Sequence, residues 1–172
     1  MRRGFLVVLA TILFVAGSVW TPAVAAPGGR VPDFRTRTLD GRRVRLSDLV
    51  QKGPVLLNFW AMWCAPCQKE LPYLNELQKK YAKRGFTLLA VSEDGEQAAP
   101  RVRSFVRGRK FQFTVIVDRN QELYRLFRVS VLPTSLLVGR DLQVLWQHVG
   151  YRPGDEHALE QALLRVLEGE KQ

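Results

Sequence analysis

Cysteine and histidine are both scarce in this chain. Its 172 residues contain two cysteines, Cys64 and Cys67, and two histidines, His148 and His157, far downstream. A zinc site needs about four ligands, and no second cysteine pair completes one. A disulfide across a two-residue loop restricts the unfolded chain little, because stabilisation grows with loop length. The scarcity therefore argues against structural zinc and structural disulfides, and it leaves the pair for redox chemistry. Two packing thiols remain the alternative.

Acidic residues are also in deficit. The chain has 26 Lys and Arg against 16 Asp and Glu, a formal net charge of +10. Such an excess favours acidic partners or anionic lipid surfaces. No nucleic-acid-binding motif accompanies the basic charge, so we expect no nucleic acid partner.

Charge is absent from residues 4–29, which follow Arg2 and Arg3. A basic start, an apolar middle and the small-residue pattern Ala23-Val24-Ala25 predict a signal peptide over residues 1–25. The stretch is also long enough for an uncleaved membrane anchor, which is the alternative. We predict a linker at 26–32, a single domain at 33–172, and export to the periplasm, with anchoring to the inner membrane if the segment is retained.

The cysteines fall between a predicted strand and a predicted helix. Residues 54–60 form an apolar run typical of a strand buried on both faces, and residues 66–84 read as a helix that ends at Gly85. Cys64 would then lie at the helix N-terminus, where free N–H groups favour a thiolate. Cys67 lies one turn further on, so we expect it to be more buried and to act as the resolving cysteine.

The remaining elements follow from apolar periodicity. Asp40-Gly41 predicts a hairpin turn between residues 34–39 and 42–46, with Ser47 as a helix N-cap after it. Asp155 is predicted to cap the last helix. The predicted strands are 86–92, parallel to the first, then 113–118, the run after Pro133, and 142–149; the short helices are 100–107 and 121–127.

Basic residues are densest on the predicted helix 100–107 and just after it. They are Arg101, Arg103, Arg107, Arg109 and Lys110. One interpretation is a solvated helix face, and the other is a docking patch for an acidic partner or lipid.

Several motifs resemble a known family. Residues 59–67 (FWAMWCAPC), Pro72 and residues 131–134 (VLPT) resemble the thioredoxin fold. More narrowly, residues 32–34 (PDF), 39–41 (LDG), 46–49 (LSDL) and 57–60 (LNFW) resemble the exported TlpA/ResA-like thiol–disulfide oxidoreductases. The resemblance implies an α/β thioredoxin-like fold, a mixed central sheet flanked by helices, with an N-terminal β-hairpin and a strand/helix insertion.

The resemblance also implies roles for individual residues. Cys64 and Cys67 would form the redox-active disulfide, with Cys64 attacking the partner and Cys67 resolving the mixed disulfide. Pro133 would be a cis-proline beside the pair, an ordinary trans strand-start proline being the alternative. Trp63, Leu132 and Thr134 would contact the bound client.

Glu70 is the candidate acid. It corresponds to the acidic residue of family members that act in cytochrome maturation, and its three-residue spacing from Cys67 lets a carboxylate tune the thiols. The alternative is a surface glutamate favoured by the helix N-terminus. Asn58 stands where cytosolic thioredoxins carry a buried acid, which makes Glu70 the better candidate.

The function expected from these residues is disulfide reduction in exported client proteins, including apocytochrome c in cytochrome c maturation. Ala65 and Pro66 separate the cysteines without the histidine of strong oxidants. We expect a monomer without cofactor or metal, recharged by a membrane electron donor. The alternatives are a thiol peroxidase and a copper-binding thioredoxin-like assembly module.

Overall fold

The computed structural model describes residues 27–169. The predicted signal peptide or anchor at 1–25 lies outside the described residues. Within residues 27–169, no helix combines the length and the apolar character that crossing a membrane requires.

A two-stranded antiparallel hairpin opens the domain. Strand β1 covers Arg35–Arg37 and β2 covers Arg43–Arg45, joined through the predicted Asp40-Gly41 turn. Leu39 beyond β1 donates its backbone N–H to the carbonyl of Val115 at 2.7 Å, which joins the hairpin to the edge of the main sheet.

The central sheet has five strands in the order β5-β4-β3-β6-β7. Strands β3, β4 and β5 are parallel, β6 is antiparallel to β3, and β7 is antiparallel to β6, so the sheet is mixed as predicted. The strands are β3 (Val55–Trp60), β4 (Thr87–Ser92), β5 (Thr114–Val117), β6 (Thr134–Val138) and β7 (Val144–Val149).

Helices cover both faces of this sheet. They are α1 (Leu46–Val50), α2 (Ala65–Tyr81), α3 (Ala99–Gly108), α4 (Glu122–Leu126) and α5 (Asp155–Leu167). One core cluster joins α2, α3 and α5 to Leu56 and Trp60 of β3, and the other joins α1 and α4 to Leu57 and Phe59. Strand β3 is buried along its whole length because alternate side chains enter different cores. The thioredoxin-like fold is confirmed.

Two capping predictions are wrong. The N-cap of α5 is Gly154, and Asp155 is the first helical residue, with its carboxylate accepting from the Arg152 N–H at 2.7 Å. At α1 the N-cap position belongs to Arg45, and Ser47 donates its N–H to Asp33 Oδ1 at 2.9 Å. At α1 the Asp33 carboxylate satisfies an N–H of the first turn, whereas at α5 the Asp155 carboxylate binds a residue before the helix.

Residues of the predicted linker pair with the start of β7. Gly28 donates to the carbonyl of Val144 at 2.8 Å, Val31 donates to that of Leu142 at 2.8 Å, and the side chain of Val31 is buried. The chain therefore enters the domain at the end of β3 opposite to the cysteines.

Candidate active site

Cys64 and Cys67 are joined by a disulfide at the junction of β3 and α2, with their Cα atoms 5.3 Å apart. Cys64 occupies the N-cap position of α2, and its Sγ accepts a hydrogen bond from the Cys67 N–H at 3.2 Å. Cys67 is completely buried, whereas Cys64 is 5% exposed. Both the strand-to-helix placement and the deeper burial of Cys67 are confirmed.

The turn between β3 and Cys64 is held through the backbone of Met62. Its N–H donates to Asp94 Oδ2 at 2.9 Å, and its carbonyl accepts from the side-chain amide of Gln68. Asp94 also accepts from Ser92 Oγ at 2.7 Å. Sequence reasoning missed Asp94 and Gln68. The available signal was that Asp94 follows β4, whose C-terminal end lies beside that of β3 in a parallel pair.

Pro133 is preceded by a cis peptide bond and leads directly into β6. Thr134, the first residue of β6, pairs with Phe59 near the end of β3, which places Pro133 at the disulfide end of the sheet. Thr134 Oγ1 donates to the Val131 carbonyl at 2.7 Å, so its hydroxyl stabilises the loop that carries the proline. The cis-proline prediction is confirmed, and the trans alternative is wrong.

Apolar side chains are exposed beside Cys64 in the sequence and in the loop just before β6. Trp63 is 70% exposed and Val131 is 49% exposed, while Leu132 is partly buried. Exposed apolar groups of this kind fit contact with another protein. The client-binding roles of Trp63, Leu132 and Thr134 stay predictions.

Glu70 is buried on α2, with 5% of its surface exposed. Its Oε2 accepts from Asn58 Nδ2 at 2.9 Å, and its Oε1 accepts from Ser135 Oγ at 3.4 Å. Burial raises the pKa of Glu70 to about 7, while the hydrogen bonds from Asn58 and Ser135 oppose that rise. The alternative of a surface glutamate is therefore wrong.

A polar cluster surrounds this carboxyl. Asn58 Nδ2 also donates to Ser135 Oγ at 2.9 Å, and Ser135 pairs with His148 across β6 and β7. His148 Nε2 lies 2.9 Å from Asp155 Oδ2, and the negative charge of Asp155 adds to the raised pKa of Glu70. Sequence reasoning missed Ser135 and treated His148 as remote. The pairing of β6 with both β3 and β7 brings them near Glu70, and that pairing depends on the tertiary structure.

Residues 27–169 include both cysteines and both histidines of the chain. No group of three or more His, Cys, Asp or Glu side chains there could hold a metal ion. His157 lies in the first turn of α5.

Comparison with known proteins agrees with this geometry. The AhpC/TSA family model matches residues 27–147. The chain is 40% identical over 123 residues to the thiol-disulfide oxidoreductase ResA of Bacillus anthracis, covering 72% of this chain and 69% of that protein. It is 32% identical over 150 residues to the ResA of Bacillus subtilis (strain 168), covering 84% and 81%.

Solved structures give the same likeness. A thiol:disulfide interchange protein DsbE from Chlorobium tepidum superposes with a TM-score of 0.75 at 39% identity, covering 83% of this chain and 98% of that one. Peroxidoxin BcpB from Mycobacterium tuberculosis superposes with a TM-score of 0.69 at 26% identity, covering 85% and 98%.

Proposed function

The chain belongs to the AhpC/TSA family and is a thiol–disulfide oxidoreductase, and we propose that it works outside the cytoplasm as a reductant of client disulfides. The observation that carries this proposal is the Cys64–Cys67 disulfide at the N-terminus of α2. The exposed Trp63 directly precedes Cys64, and the buried Glu70 lies one helical turn after Cys67. Export is supported by the signal-like pattern of residues 1–25.

The proposed reaction starts from the dithiol form. The Cys64 thiolate, favoured by the helix N-terminus, attacks one sulfur of the client disulfide and displaces the other as a thiolate. The Cys67 thiolate then attacks the Cys64 sulfur and releases the second client thiolate. The client gains two electrons and two protons as its disulfide becomes two thiols, and Cys64–Cys67 becomes the disulfide present in the structure.

Glu70 is proposed as the acid–base group for the second step. A carboxyl with a pKa of about 7 is partly ionised at neutral pH, so it can accept the proton of the Cys67 thiol and return it later. The three-residue spacing along α2 puts both side chains on one helix face. Asn58 and Ser135 would keep the carboxyl oriented through their hydrogen bonds.

Each turnover leaves the pair oxidised, so a second dithiol must reduce it. We propose a membrane electron donor for that step and apocytochrome c among the clients. The Ala65-Pro66 pair between the cysteines supports the reducing direction, because it lacks the histidine of strong oxidants. The likeness to proteins named ResA and DsbE supports the same chemistry.

The test uses the reduced full-length protein and a synthetic peptide with an oxidised Cys-x-x-Cys-His segment, the haem-attachment motif. We expect stoichiometric peptide reduction and a midpoint potential near thioredoxin's value of about −270 mV. Cys67→Ser should accumulate the mixed disulfide, and Cys64→Ser should abolish the reaction. A potential near about −120 mV would reverse the proposed direction. A control peptide with a Ser-substituted histidine separates a cytochrome preference from general reduction.

Thiol peroxidase activity stays an alternative prediction. The 26% identity to a peroxidoxin is the observation that favours it. Thiol-dependent consumption of hydrogen peroxide is the measurement. Consumption that is faster than peptide reduction would favour the peroxidase.

A further inference from the structure

The positive charge of the chain is concentrated in two segments. Residues 35–45 and 101–110 together contain ten Lys and Arg and one Asp, whereas the rest of the chain contains 16 basic and 15 acidic residues. Nearly all of the net charge of +10 thus belongs to 21 residues. Nine of the ten basic residues there are arginines, and Lys110 is the exception.

The fold brings these distant segments together. Arg103 on α3 donates from Nη2 to the Leu39 carbonyl at 2.5 Å, and Leu39 is also tied to β5 through its N–H. We call the combined region the arginine surface: Arg35, Arg37, Arg42, Arg43 and Arg45 of the hairpin with Arg103 and Arg107 of α3. Arg109 and Lys110 are not part of it, because they line a different depression beside α2.

Like charges face each other within the hairpin. Arg35 pairs with Arg45 and Arg37 pairs with Arg43, so two of the three residue pairs in this small sheet oppose two positive charges. Directly opposed like charges destabilise a strand pair. Asp33 offsets part of the repulsion by pairing with Arg45 at 2.6 Å. At the turn, Asp40 pairs with Arg42 at 2.8 Å, and both side chains are exposed.

Three depressions interrupt the surface, and each is lined by arginines. One of about 200 Å³ lies between the hairpin and α3 and is lined by Arg37, Arg103 and Arg119, and by Glu96, which pairs with Arg119 at 3.1 Å. A second of about 200 Å³ is lined by Arg42, Arg103 and Arg107, and by Asp40, which pairs with Arg42. The third, of about 380 Å³, is lined by Arg35, Arg37, Arg43 and Arg45, and by Asp48. Arginines outnumber acidic residues in each lining, so each depression keeps a net positive charge that favours anionic groups.

We propose that the arginine surface docks the domain on a bilayer that contains anionic phospholipids. Guanidinium groups bind phosphate in a bidentate manner, which fits the preference for Arg over Lys. A bilayer also presents many phosphates side by side, which fits three separate arginine-lined depressions. Finally, residue 27 follows the charge-free segment that is predicted to be a signal peptide or membrane anchor, and it is eight positions before β1. The hairpin is therefore at most about 26 Å of chain from that segment.

The test measures amide hydrogen exchange in the full-length protein with vesicles of phosphatidylcholine alone or with about 30 mol% phosphatidylglycerol. We expect at least about tenfold slower exchange in residues 35–45 only when phosphatidylglycerol is present, and loss of that protection at about 0.5 M NaCl. Because exchange is read segment by segment, insertion of residues 1–25 into either vesicle does not imitate the result. Redox activity is not part of the readout.

A matched pair of variants separates location from total charge. Arg35→Gln, Arg43→Gln and Arg107→Gln combined should abolish the protection. Arg128→Gln, Arg140→Gln and Arg165→Gln combined remove the same charge from exposed positions elsewhere and should retain it. Thermal melting of both variants checks that they fold. Equal protection by both vesicles, or equal behaviour of the two variants, would overturn the proposal. Protection by a soluble polyglutamate peptide but not by the vesicles would assign the surface to acidic proteins instead.

Discussion

Asn58 on β3 donates a hydrogen bond from Nδ2 to the buried carboxyl of Glu70 on α2, at 2.9 Å. A neutral amide thus faces the carboxyl from the strand, and an amide neither takes up nor releases a proton near neutral pH. The carboxyl lies on the same helix as the cysteines, one turn after Cys67.

Glu70 should make the stability of the oxidised protein pH-dependent. Its pKa rises from 4.5 to about 7 on folding, so between these values the folded chain retains a proton that the unfolded chain has lost. The unfolding free energy should therefore fall as pH rises through that window, by about 3 kcal/mol. Glu70→Gln should remove this decline in denaturant titrations from pH 4 to 8. Glu76→Gln, an exposed position on the same helix, should retain it, and an unchanged slope in Glu70→Gln would contradict the prediction.

Asn58→Ala should raise the pKa of Glu70 further above about 7, because the Asn58 hydrogen bond favours the ionised carboxylate. Ser135→Ala should raise it less, since its contact is longer, 3.4 Å against 2.9 Å. Titration of the Glu70 side-chain carbon by NMR measures both. A lower Glu70 pKa in Asn58→Ala would contradict this prediction. It would mean that the substitution exposes the carboxyl to water, and that this effect outweighs the lost hydrogen bond.

Asp94→Ala should loosen the turn that carries Cys64. The Met62 N–H would lose its carboxylate acceptor, which is expected to lower the unfolding free energy by about 2 kcal/mol. Exchange with a small aromatic disulfide should slow, because Cys64 is held less firmly. Asp94→Asn retains an oxygen acceptor and should lie close to the parent protein in both measurements. Identical losses in the two variants would point to the charge rather than the hydrogen bond.

Gly85→Ala should be more damaging than Gly154→Ala, although both glycines have a left-handed backbone, with φ of 92° and 107°. A Cβ at Gly85 would clash with the carbonyl oxygen of Lys52, whereas nothing lies within 4 Å of one at Gly154. Backbone strain alone should lower the unfolding free energy by about 1 kcal/mol at Gly154, and the added clash by at least about 3 kcal/mol at Gly85. Chemical denaturation gives both values, and similar losses would exclude the clash.

Most secondary structure could be predicted because local patterns dictate it. The run 54–60 is apolar at every position that enters either core except Asn58, and Gly85 ends the segment after α2 in a left-handed conformation. The exact N-cap residues could not be predicted from local patterns. Asp155 is one residue inside α5 because Gly154 can adopt a φ of 107°, and a sequence pattern does not choose between neighbouring residues at a helix end.

The sequence by itself determined the cysteine pair, its place at a helix start and the position of Glu70 one turn after Cys67, because each depends on short spacings along the chain. The cis-proline was expected only from the family resemblance. Only the tertiary structure decided the surroundings of Glu70. Asn58, Glu70 and Ser135 come from three different elements, and their contact follows from the order β4-β3-β6 and the packing of α2 on the sheet. The same holds for the arginine surface, whose two segments are joined by Leu39 and Arg103, 64 residues apart. Long-range packing sets these distances, and local sequence patterns do not encode them.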